Sequence, residues 1–144
     1  MIVLDGSQPE AKRFLENFDV LRERSEEGKL PFQIYLVDCE VIGFGIEEPD
    51  RVGLSRTGKN AYFLVPISVS HELLRKFVIL GLKKAQERGL GYVYATIDAD
   101  RRRIIPSLVE GGIEMLDEYF WMFRSLEDIE YKTEPTIDFD RVTK

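Results

Sequence analysis

The change of apolar spacing at Ser70 is the feature that most restricts how this chain of 144 residues can fold. Before it, residues 61–69 (AYFLVPISV) are rich in aromatic and β-branched side chains, which is typical of a strand. Pro66 lacks an amide donor, so one side of that strand should be unpaired nearby. After Ser70, apolar residues recur every three or four positions as far as Gly89, which predicts a helix. Residues 91–98 (GYVYATID) predict another strand.

The residues before this segment predict a strand, a helix and a β-hairpin. The short apolar run Met1–Asp5 indicates the strand. We expect the helix to run from about Pro9 to about Ser25, with Ser7 as its cap. Residues 34–46 alternate around a tight turn at Asp38–Glu40, which is typical of a hairpin.

The last third of the chain predicts a further helix and strand. Residues 100–110 favour a helix, in which Pro106 either lies in the first turn or causes a kink. A buried strand is expected from Glu118, and Ile137 and Phe139 alternate with acids in an arm or an edge strand. The whole order indicates an α/β (α+β) domain with a mixed sheet.

Composition favours one soluble globular domain, which we place at residues 1–126, with residues 127–144 as a C-terminal extension or arm. Apolar residues make up 44% of the chain and charged residues 32%, which excludes a disordered protein. The net charge of -6 counts against a general nucleic-acid binder, because binding phosphates needs a basic face. The single cysteine, Cys39 in the predicted turn, excludes an intrachain disulfide.

The sequence also bears on location and cofactors. No apolar run approaches the roughly 20 residues that span a membrane, and the N-terminus lacks the pattern of a signal peptide. We therefore expect a cytoplasmic protein without membrane or nucleic-acid partners. Few Asn and Gln beside many Glu, Lys and Arg are typical of a heat-adapted source. No His, Cys or Asp cluster has metal-ligand spacing.

Residues 53–60 (GLSRTGKN) differ by one residue from the nucleotide-binding P-loop, G-x-x-x-x-G-K-[ST]. A P-loop needs a helix directly after it, because the N-terminal amides of that helix bind the phosphates. Here a strand pattern follows, and Asn60 replaces the hydroxyl that would hold Mg²⁺. We therefore interpret residues 49–60 as a connection between strands, in which Gly53 and Gly58 permit positive φ.

Two segments resemble the GNAT superfamily of N-acetyltransferases. Residues 34–49 (IYLVDCEVIGFGIEEP) are similar to the central hairpin of that family, where a tight turn leads into a VVGF-like strand. Residues 73–126 resemble its second half: a helix, a glycine, a strand, a short helix, a GF-like pair at Gly112–Ile113, and a closing aromatic strand at Tyr119–Phe123. The resemblance implies a twisted, mostly antiparallel sheet with helices on both faces.

The resemblance also implies a site. In that family two neighbouring parallel strands splay apart, here residues 63–69 and 92–97, and acetyl-CoA lies in the gap. An amine, from a small molecule or a peptide, attacks the thioester carbonyl directly. The positions that match the cofactor-binding part are Ile67, Val69, Ser70, His71, Arg75 and Lys76.

The sequence departs from the family at two places. The pyrophosphate loop [QR]-x-x-G-x-[GA] is replaced by residues 69–75 (VSHELLR), which lack glycine and include the anionic Glu72. The helix N-terminus remains, and its dipole and free amides favour an anion. The family's frequent Tyr aligns with Leu108 and its upstream Asn with Arg101. No catalytic residue is therefore identified from the sequence.

Several residues have two interpretations. His71 either contacts a phosphate or acts as a base, or it is an ordinary helix position, while Ser70 is expected to cap the helix. Asp98 and Asp100 either bind a ligand at the strand end, or shape the turn and cap the next helix. The run Arg101–Arg103 is a solvated helix start or a phosphate contact.

Two further groups remain open. Glu47 and Glu48 either deprotonate an amine or are ordinary charges at a strand end. The aromatic row is core or a homodimer surface; it comprises Tyr119, Phe120, Trp121 and Phe123.

Three functions fit these observations. The first is a GNAT-like acyl-CoA-dependent N-acetyltransferase of unknown acceptor. The second is a GNAT-fold binding or interaction domain that has lost catalysis, and the third is an unrelated small α/β sensor domain.

Overall fold

A computed structural model describes residues 1–117 and 121–127. The strands are β1 (Ile2–Asp5), β2 (Phe32–Val37), β3 (Glu40–Glu48), β4 (Ala61–Pro66), β5 (Tyr92–Thr96), β6 (Glu114–Asp117) and β7 (Trp121–Ser125). The α-helices are α1 (Lys12–Asn17), α2 (Asp19–Arg24), α3 (His71–Glu87) and α4 (Ile105–Gly111). Two 3₁₀ helices lie at Pro9–Ala11 and Ala99–Ile104.

The described strands form one sheet in the order β1-β2-β3-β4-β5-β7-β6. Adjacent strands in this sheet are antiparallel except for the central pair, β4 and β5, which is parallel. The mixed, mostly antiparallel sheet expected from the sequence is thereby confirmed. The hairpin is confirmed as well: β2 and β3 are joined at Asp38 and Cys39, whose φ angles are 52° and 68°.

The parallel pair is short and opens at one end. The register runs through three pairs, from Ala61↔Tyr92 to Phe63↔Tyr94, and then stops. Beyond Phe63, β4 continues to Pro66 with β3 as its partner, where Pro66 lies opposite Gly43. The two strands therefore diverge after Phe63 and Tyr94, near the position where Pro66 predicted unpaired backbone.

Each face of the sheet carries one apolar core. On one face, Leu21 of α2 is fully buried with Phe63 and Tyr94. On the other face, Phe77 of α3 and Leu108 of α4 are buried with the remaining side chains of β4 and β5. Helices therefore cover both faces, and the diverging strands lie between the two cores.

Glycines on β3 let bulky side chains approach the sheet closely. A Cβ on Gly43 would lie 2.4 Å from Cζ of Phe77, and one on Gly45 would lie 2.2 Å from the Tyr62 ring. Neither contact is sterically allowed, so both glycines of the VIGFG sequence are required by packing on the α3 face.

The predicted helix from Pro9 to Ser25 is wrong in detail. The chain forms a 3₁₀ turn, then α1, then α2, because Phe18 between the two α-helices is extended (φ -125°, ψ 103°). Ser7 does not cap it: its hydroxyl donates to Asp5 at 2.6 Å, and Gln8 precedes the first turn. The aromatic Phe18 is thereby turned to pack edge-on against Phe44.

Other boundaries also differ from expectation. Strand β4 ends at Pro66, three residues earlier than predicted, and β6 was missed. The predicted helix at 100–110 begins as a 3₁₀ helix, and Pro106 lies in the first turn of α4. Residues 118–120 and the arm with Ile137 and Phe139 lie outside the described residues.

Candidate active site

The backbone at the open end of β4 is bonded mainly on the β3 side. The amides of Ile67 and Ser68 both donate to the carbonyl of Ile42, each at 3.0 Å. The side chain of Ile67 packs against the core beside α2, whereas Val69 is 78% exposed. Val69 is thus the apolar side chain that a ligand could cover at the mouth of the gap.

Helix α3 begins at this mouth. Ser70 is its N-cap and accepts a hydrogen bond from the Leu73 amide at 3.4 Å, as predicted. The cations of the first turns are already paired, since Glu72 lies 3.1 Å from Arg75 and 3.8 Å from Lys76. All three side chains are exposed or half-exposed, so such pairs are weak and open to competition by an anion.

His71 joins α3 to α4. Its Nδ1 lies 2.8 Å from the hydroxyl of Ser107, and its Nε2 lies 3.0 Å from a carboxylate oxygen of Glu110. Ser107 is buried, whereas the imidazole of His71 and the carboxylate of Glu110 are each about half exposed. The imidazole is therefore oriented by α4, which the sequence alone did not indicate.

Arg101 crosses the open end of the gap. Its Nη1 donates to the carbonyl of Pro66 at 2.9 Å, which links the 3₁₀ helix after β5 to the end of β4. Arg102 and Arg103 are exposed, as a solvated helix start requires. The expectation that Asp100 caps this helix is wrong, because Asp98 holds the N-cap position and its carbonyl accepts from the Arg101 amide.

A buried polar cluster occupies the other face, between Glu48, which lies opposite Ala61, and the last register pair, Phe63 and Tyr94. Glu48 is 1% exposed and accepts from Nη2 of Arg24 at 3.2 and 3.0 Å, and from the hydroxyl of Tyr94. The Arg24 guanidinium also lies over the ring of Phe63, with Cζ 3.8 Å from its centroid. Burial, and then the bond to Glu48, raise the pKa of Tyr94, so its phenol remains a donor at neutral pH.

Glu47 belongs to a separate buried network. Its carboxylate accepts two bonds from Arg88, at 2.6 and 3.1 Å. Gln33 connects it to the hydroxyl of Tyr62, which is itself 2.7 Å from that of Tyr35. Both carboxylates are thus bonded within the fold, and Glu48 is the one that contacts Tyr94, a member of the last register pair of β4 and β5.

The loop at residues 49–60 is a connection between β3 and β4, as predicted, with positive φ at Gly53 and Gly58. Its donors bind the protein's own carboxylates. Asp50 accepts from the amides of Leu54 and Ser55, at 3.1 and 2.9 Å. Glu127 accepts from the Ser55 hydroxyl, from the Arg56 amide at 2.8 Å and from Thr57 at 3.1 Å.

These bonds alter the acidity of both carboxyl groups. Burial opposes the change, but the bonds from Tyr92 and from loop amides hold the pKa of Asp50 below its usual value. For Glu127, burial is likewise outweighed by the bonds from Ser55 and Arg56, so its pKa is lowered. The near-P-loop is thus an anion-binding loop filled by internal carboxylates.

The half of the aromatic row that the structure describes is partly buried beside the core. Trp121 and Phe123 pack against the core on the α2 face, and Trp121 stacks on Tyr94 with centroids 5.2 Å apart. Tyr119 and Phe120 lie outside the described residues. Within residues 1–117 and 121–127, no helix has the length and hydropathy needed to cross a membrane, and no acid, His or Cys cluster is arranged for a metal.

Sequence reasoning missed two residues of the cluster, Arg24 and Tyr94. They are 70 positions apart along the chain, and their hydroxyl–guanidinium contact of 3.0 Å follows only from the fold. One signal was available: Tyr94 lies at the centre of a strand that carries three aromatic or β-branched residues in a row.

No family model matches the sequence, and no curated protein matches it. Solved structures match the fold. The aminoglycoside 6'-N-acetyltransferase from Enterococcus faecium has a TM-score of 0.50 at 16% identity, over 89% of this chain and 98% of that chain. A GNAT N-acetyltransferase from Escherichia coli, solved in complex with CoA, has a TM-score of 0.50 at 17% identity, over 82% and 70%.

These likenesses show that the chain has the GNAT fold. The resemblance inferred from the sequence is confirmed at the level of the fold. The alternative of an unrelated α/β fold is therefore wrong.

Proposed function

We propose that this chain, which has the GNAT fold, is an acyl-CoA-dependent N-acyltransferase that acts on an amine. The observation that carries the proposal is the parallel pair β4 and β5, which loses its register after Phe63↔Tyr94 and leaves α3 beginning at the open end. A slot between two strands, with a helix N-terminus at its mouth, suits an extended ligand that ends in phosphates.

The residues at the mouth fit such a ligand in part. Ile67 and the exposed Val69 would lie along its apolar arm, and the N-terminus of α3 would face its phosphates. The proposed phosphate contacts are Ser70, His71, Arg75 and Lys76. For Arg75 and Lys76 to serve, the phosphates must compete with Glu72, and Arg101 must release the Pro66 carbonyl or bind a phosphate itself.

Acetyl-CoA, when bound, supplies an activated acyl thioester. The chain's own groups then have to bind the acceptor and take up its proton. We assign both tasks to Glu48, because its buried carboxylate accepts from the hydroxyl of Tyr94, which belongs to the last register pair of β4 and β5. Loss of a proton from an ammonium to a carboxylate leaves the neutral amine that attacks a carbonyl carbon.

Stability in the presence of acetyl-CoA tests the proposal. A ligand at about 100 times its Kd adds roughly 2.7 kcal/mol to the free energy of unfolding. We expect such a shift with acetyl-CoA, and a Kd about tenfold weaker after Lys76→Glu, which places a negative charge at the mouth. Lys83→Glu is the matched control, since Lys83 is exposed in the C-terminal half of the same helix. Absence of any shift at millimolar acetyl-CoA removes the transferase.

A second function, a GNAT-fold binding domain without catalysis, is favoured by Glu72. Its carboxylate neutralises Arg75 and Lys76 where the cofactor's phosphates would lie. Release of free CoA thiol separates the two functions. A transferase releases thiol from acetyl-CoA when some member of an amine panel is added, whereas a binding domain shows the stability shift without release.

A further inference from the structure

We propose that Glu48, Tyr94 and Phe63 form a receptor for the cationic nitrogen of the acceptor, and that Arg24 occupies this receptor as an internal substitute. The word acceptor rests on the proposed function. The receptor itself, called the cation box below, is defined by the side chains that surround one nitrogen of Arg24.

One nitrogen of Arg24 makes the polar contacts of the box. Nη2 lies 3.2 and 3.0 Å from the two carboxylate oxygens of Glu48 and 3.0 Å from the hydroxyl of Tyr94. A primary ammonium has three N–H donors on a single nitrogen and can reproduce all three contacts. The bidentate contact that is specific to a guanidinium is not used here. The geometry therefore points to an alkylammonium group.

The box has an aromatic wall that suits a cation. Cζ of Arg24 lies 3.8 Å from the centroid of Phe63, and a cation over a ring face is attracted by the ring quadrupole. Tyr94 and Trp121 stack with an interplanar angle of 12° on the same side of the sheet. A ligand with an alkyl stem behind its ammonium would therefore meet apolar surface.

Glu48, the anion of the cation box, is held in place by its burial, whereas the side chain of Arg24 is partly exposed. Glu48, Phe63 and Tyr94 lie on three neighbouring strands and are 1%, 6% and 6% exposed. Arg24 is the last residue of the six-residue helix α2, and its side chain is 37% exposed. A buried carboxylate without a cation is costly, so Glu48 needs one, but the fold does not hold Arg24 as firmly as it holds Glu48.

Arg24 is also an imperfect occupant. Its Nε is buried, and within the described residues it has no hydrogen-bond partner. A buried donor without a partner opposes folding, because the hydration that it loses on burial is not replaced by a hydrogen bond. An ammonium that replaces Arg24 removes that buried donor from the box.

Two members of the box lie at the end of the parallel register, whereas Glu48 lies opposite Ala61, at the start of that register. Phe63 and Tyr94 form the last register pair of β4 and β5, and their side chains belong to the core beside α2. Of the cofactor-binding positions proposed above, His71, Arg75 and Lys76 lie on α3, which packs on the opposite face. An amine in the box would therefore reach the divergence from the face opposite to α3.

Trp121 offers a direct measurement, because it is the single tryptophan of the chain and stacks on Tyr94. We would titrate Arg24→Ala with n-propylammonium and, as the uncharged control, with propan-1-ol, following Trp121 fluorescence without acetyl-CoA. The expected result is a saturable change with the ammonium alone. Its midpoint should be at least about tenfold lower in concentration than for the natural chain, where Arg24 competes.

Two further variants keep the test decisive. Arg24→Ala with Glu48→Gln should lose the ammonium response, because the carboxylate is gone. Arg22→Ala is the matched control on the same helix, since Arg22 contacts Asp19 and the Leu15 carbonyl instead of the box. If Arg24→Ala does not fold, Arg24→Met keeps the stem without the charge and is titrated in its place.

An equal response to ammonium and propanol, or a response that survives Glu48→Gln, overturns the cation box. A response to ammonium without any stabilisation by acetyl-CoA retains the box and removes the transferase. Stabilisation by acetyl-CoA without an ammonium response removes the box alone. The two proposals therefore fail separately.

Discussion

The two ends of the β4–β5 pair are built from the same strands but are held in different ways. At the closed end, backbone groups bond one another: the Gly91 amide donates to the Asn60 carbonyl at 2.8 Å, and the Leu126 amide to the Gly91 carbonyl at 2.9 Å. At the open end, a side chain makes the connection, through Arg101 to the carbonyl of Pro66. The Arg101 side chain can release the Pro66 carbonyl by rotating its own torsions. The backbone hydrogen bonds at the closed end can break only if the paired segments separate.

The closed end is reinforced by the loop that precedes β4. The hydroxyl of Tyr92 donates to Asp50 at 2.5 Å, and Glu127 accepts hydrogen bonds from the hydroxyls of Ser55 and Thr57. At this end the carboxylates of Asp50 and Glu127 are hydrogen-bonded within the protein instead of being free to contact a ligand. The difference teaches that one end of a strand pair can be made rigid so that the other can open without loss of the fold.

The largest expected effect compares two valines. Val93→Ala removes fully buried methyl groups beside the closed end and should cost about 2 kcal/mol of unfolding free energy. Val69→Ala, at the open end, removes methyl groups from a side chain that is 78% exposed and should cost less than about 0.5 kcal/mol. Urea denaturation measures both. Equal costs would show that Val69 is covered in solution.

The next effect concerns the carboxylate that closes the loop. Glu127→Gln should cost about 1–2 kcal/mol, because three donors lose a charged acceptor. Gly91→Ala should displace the same carboxylate, since its Cβ would lie 2.7 Å from Oε2 of Glu127. The double variant should therefore cost less than the sum of the two.

Gly89→Ala is the control for this pair. Gly89 has φ +72° and no neighbour within 4 Å of an added Cβ, so its cost comes from the backbone. It should add to that of Glu127→Gln within about 0.5 kcal/mol. Additivity of Gly91→Ala with Glu127→Gln would contradict the contact.

A third, smaller effect is the response of the closed end to acid. The pKa values of Asp50 and Glu127 are lowered in the fold, so each contributes stability above its ordinary pKa and loses that contribution as pH falls through the folded value. Unfolding free energy should therefore decrease with acidification. Asp50→Asn should lower stability at neutral pH and make the acid limb shallower, and an unchanged limb would contradict the assignment.

The smallest effect is expected from Arg101→Ala. Loss of one part-buried hydrogen bond should cost about 1 kcal/mol. The amides of Ile67 and Ser68 should exchange faster, because the end of β4 loses its link to the 3₁₀ helix, while that of Gly91 should not change. Hydrogen exchange followed by NMR measures this, with exposed Arg102→Ala as control. Equal acceleration at Gly91 would mean that the two ends are coupled.

The sequence predicted correctly those elements whose conformation depends on residues close together in the chain. The turn at Asp38–Cys39 and the cap at Ser70 each follow from local torsions or hydrogen-bonding capacity. The near-P-loop was also interpreted correctly, because the element after it is a strand. What failed locally is the long first helix, since tertiary packing of Phe18 on Phe44 overrides its helical period.

The site was less predictable than the fold. The position of α3 at the open end could be inferred from the order of elements, and Glu48 was considered as a base. Its partners were not, because Arg24, Glu48 and Tyr94 come from three elements and meet only after the sheet and α2 pack. The pairing of His71 with Ser107 likewise depends on how α3 and α4 cross.

The position of β7 between β5 and β6 has a consequence for synthesis on the ribosome. Strand β6 is translated before β7, but it pairs only with β7 in the described sheet. Strand β7 also pairs with the side of β5 that β4 leaves free. A nascent chain that stops before Trp121 therefore exposes one side of the central parallel pair to whatever is nearby. Completion of the sheet must therefore wait until Trp121–Ser125 has been translated and has left the ribosome.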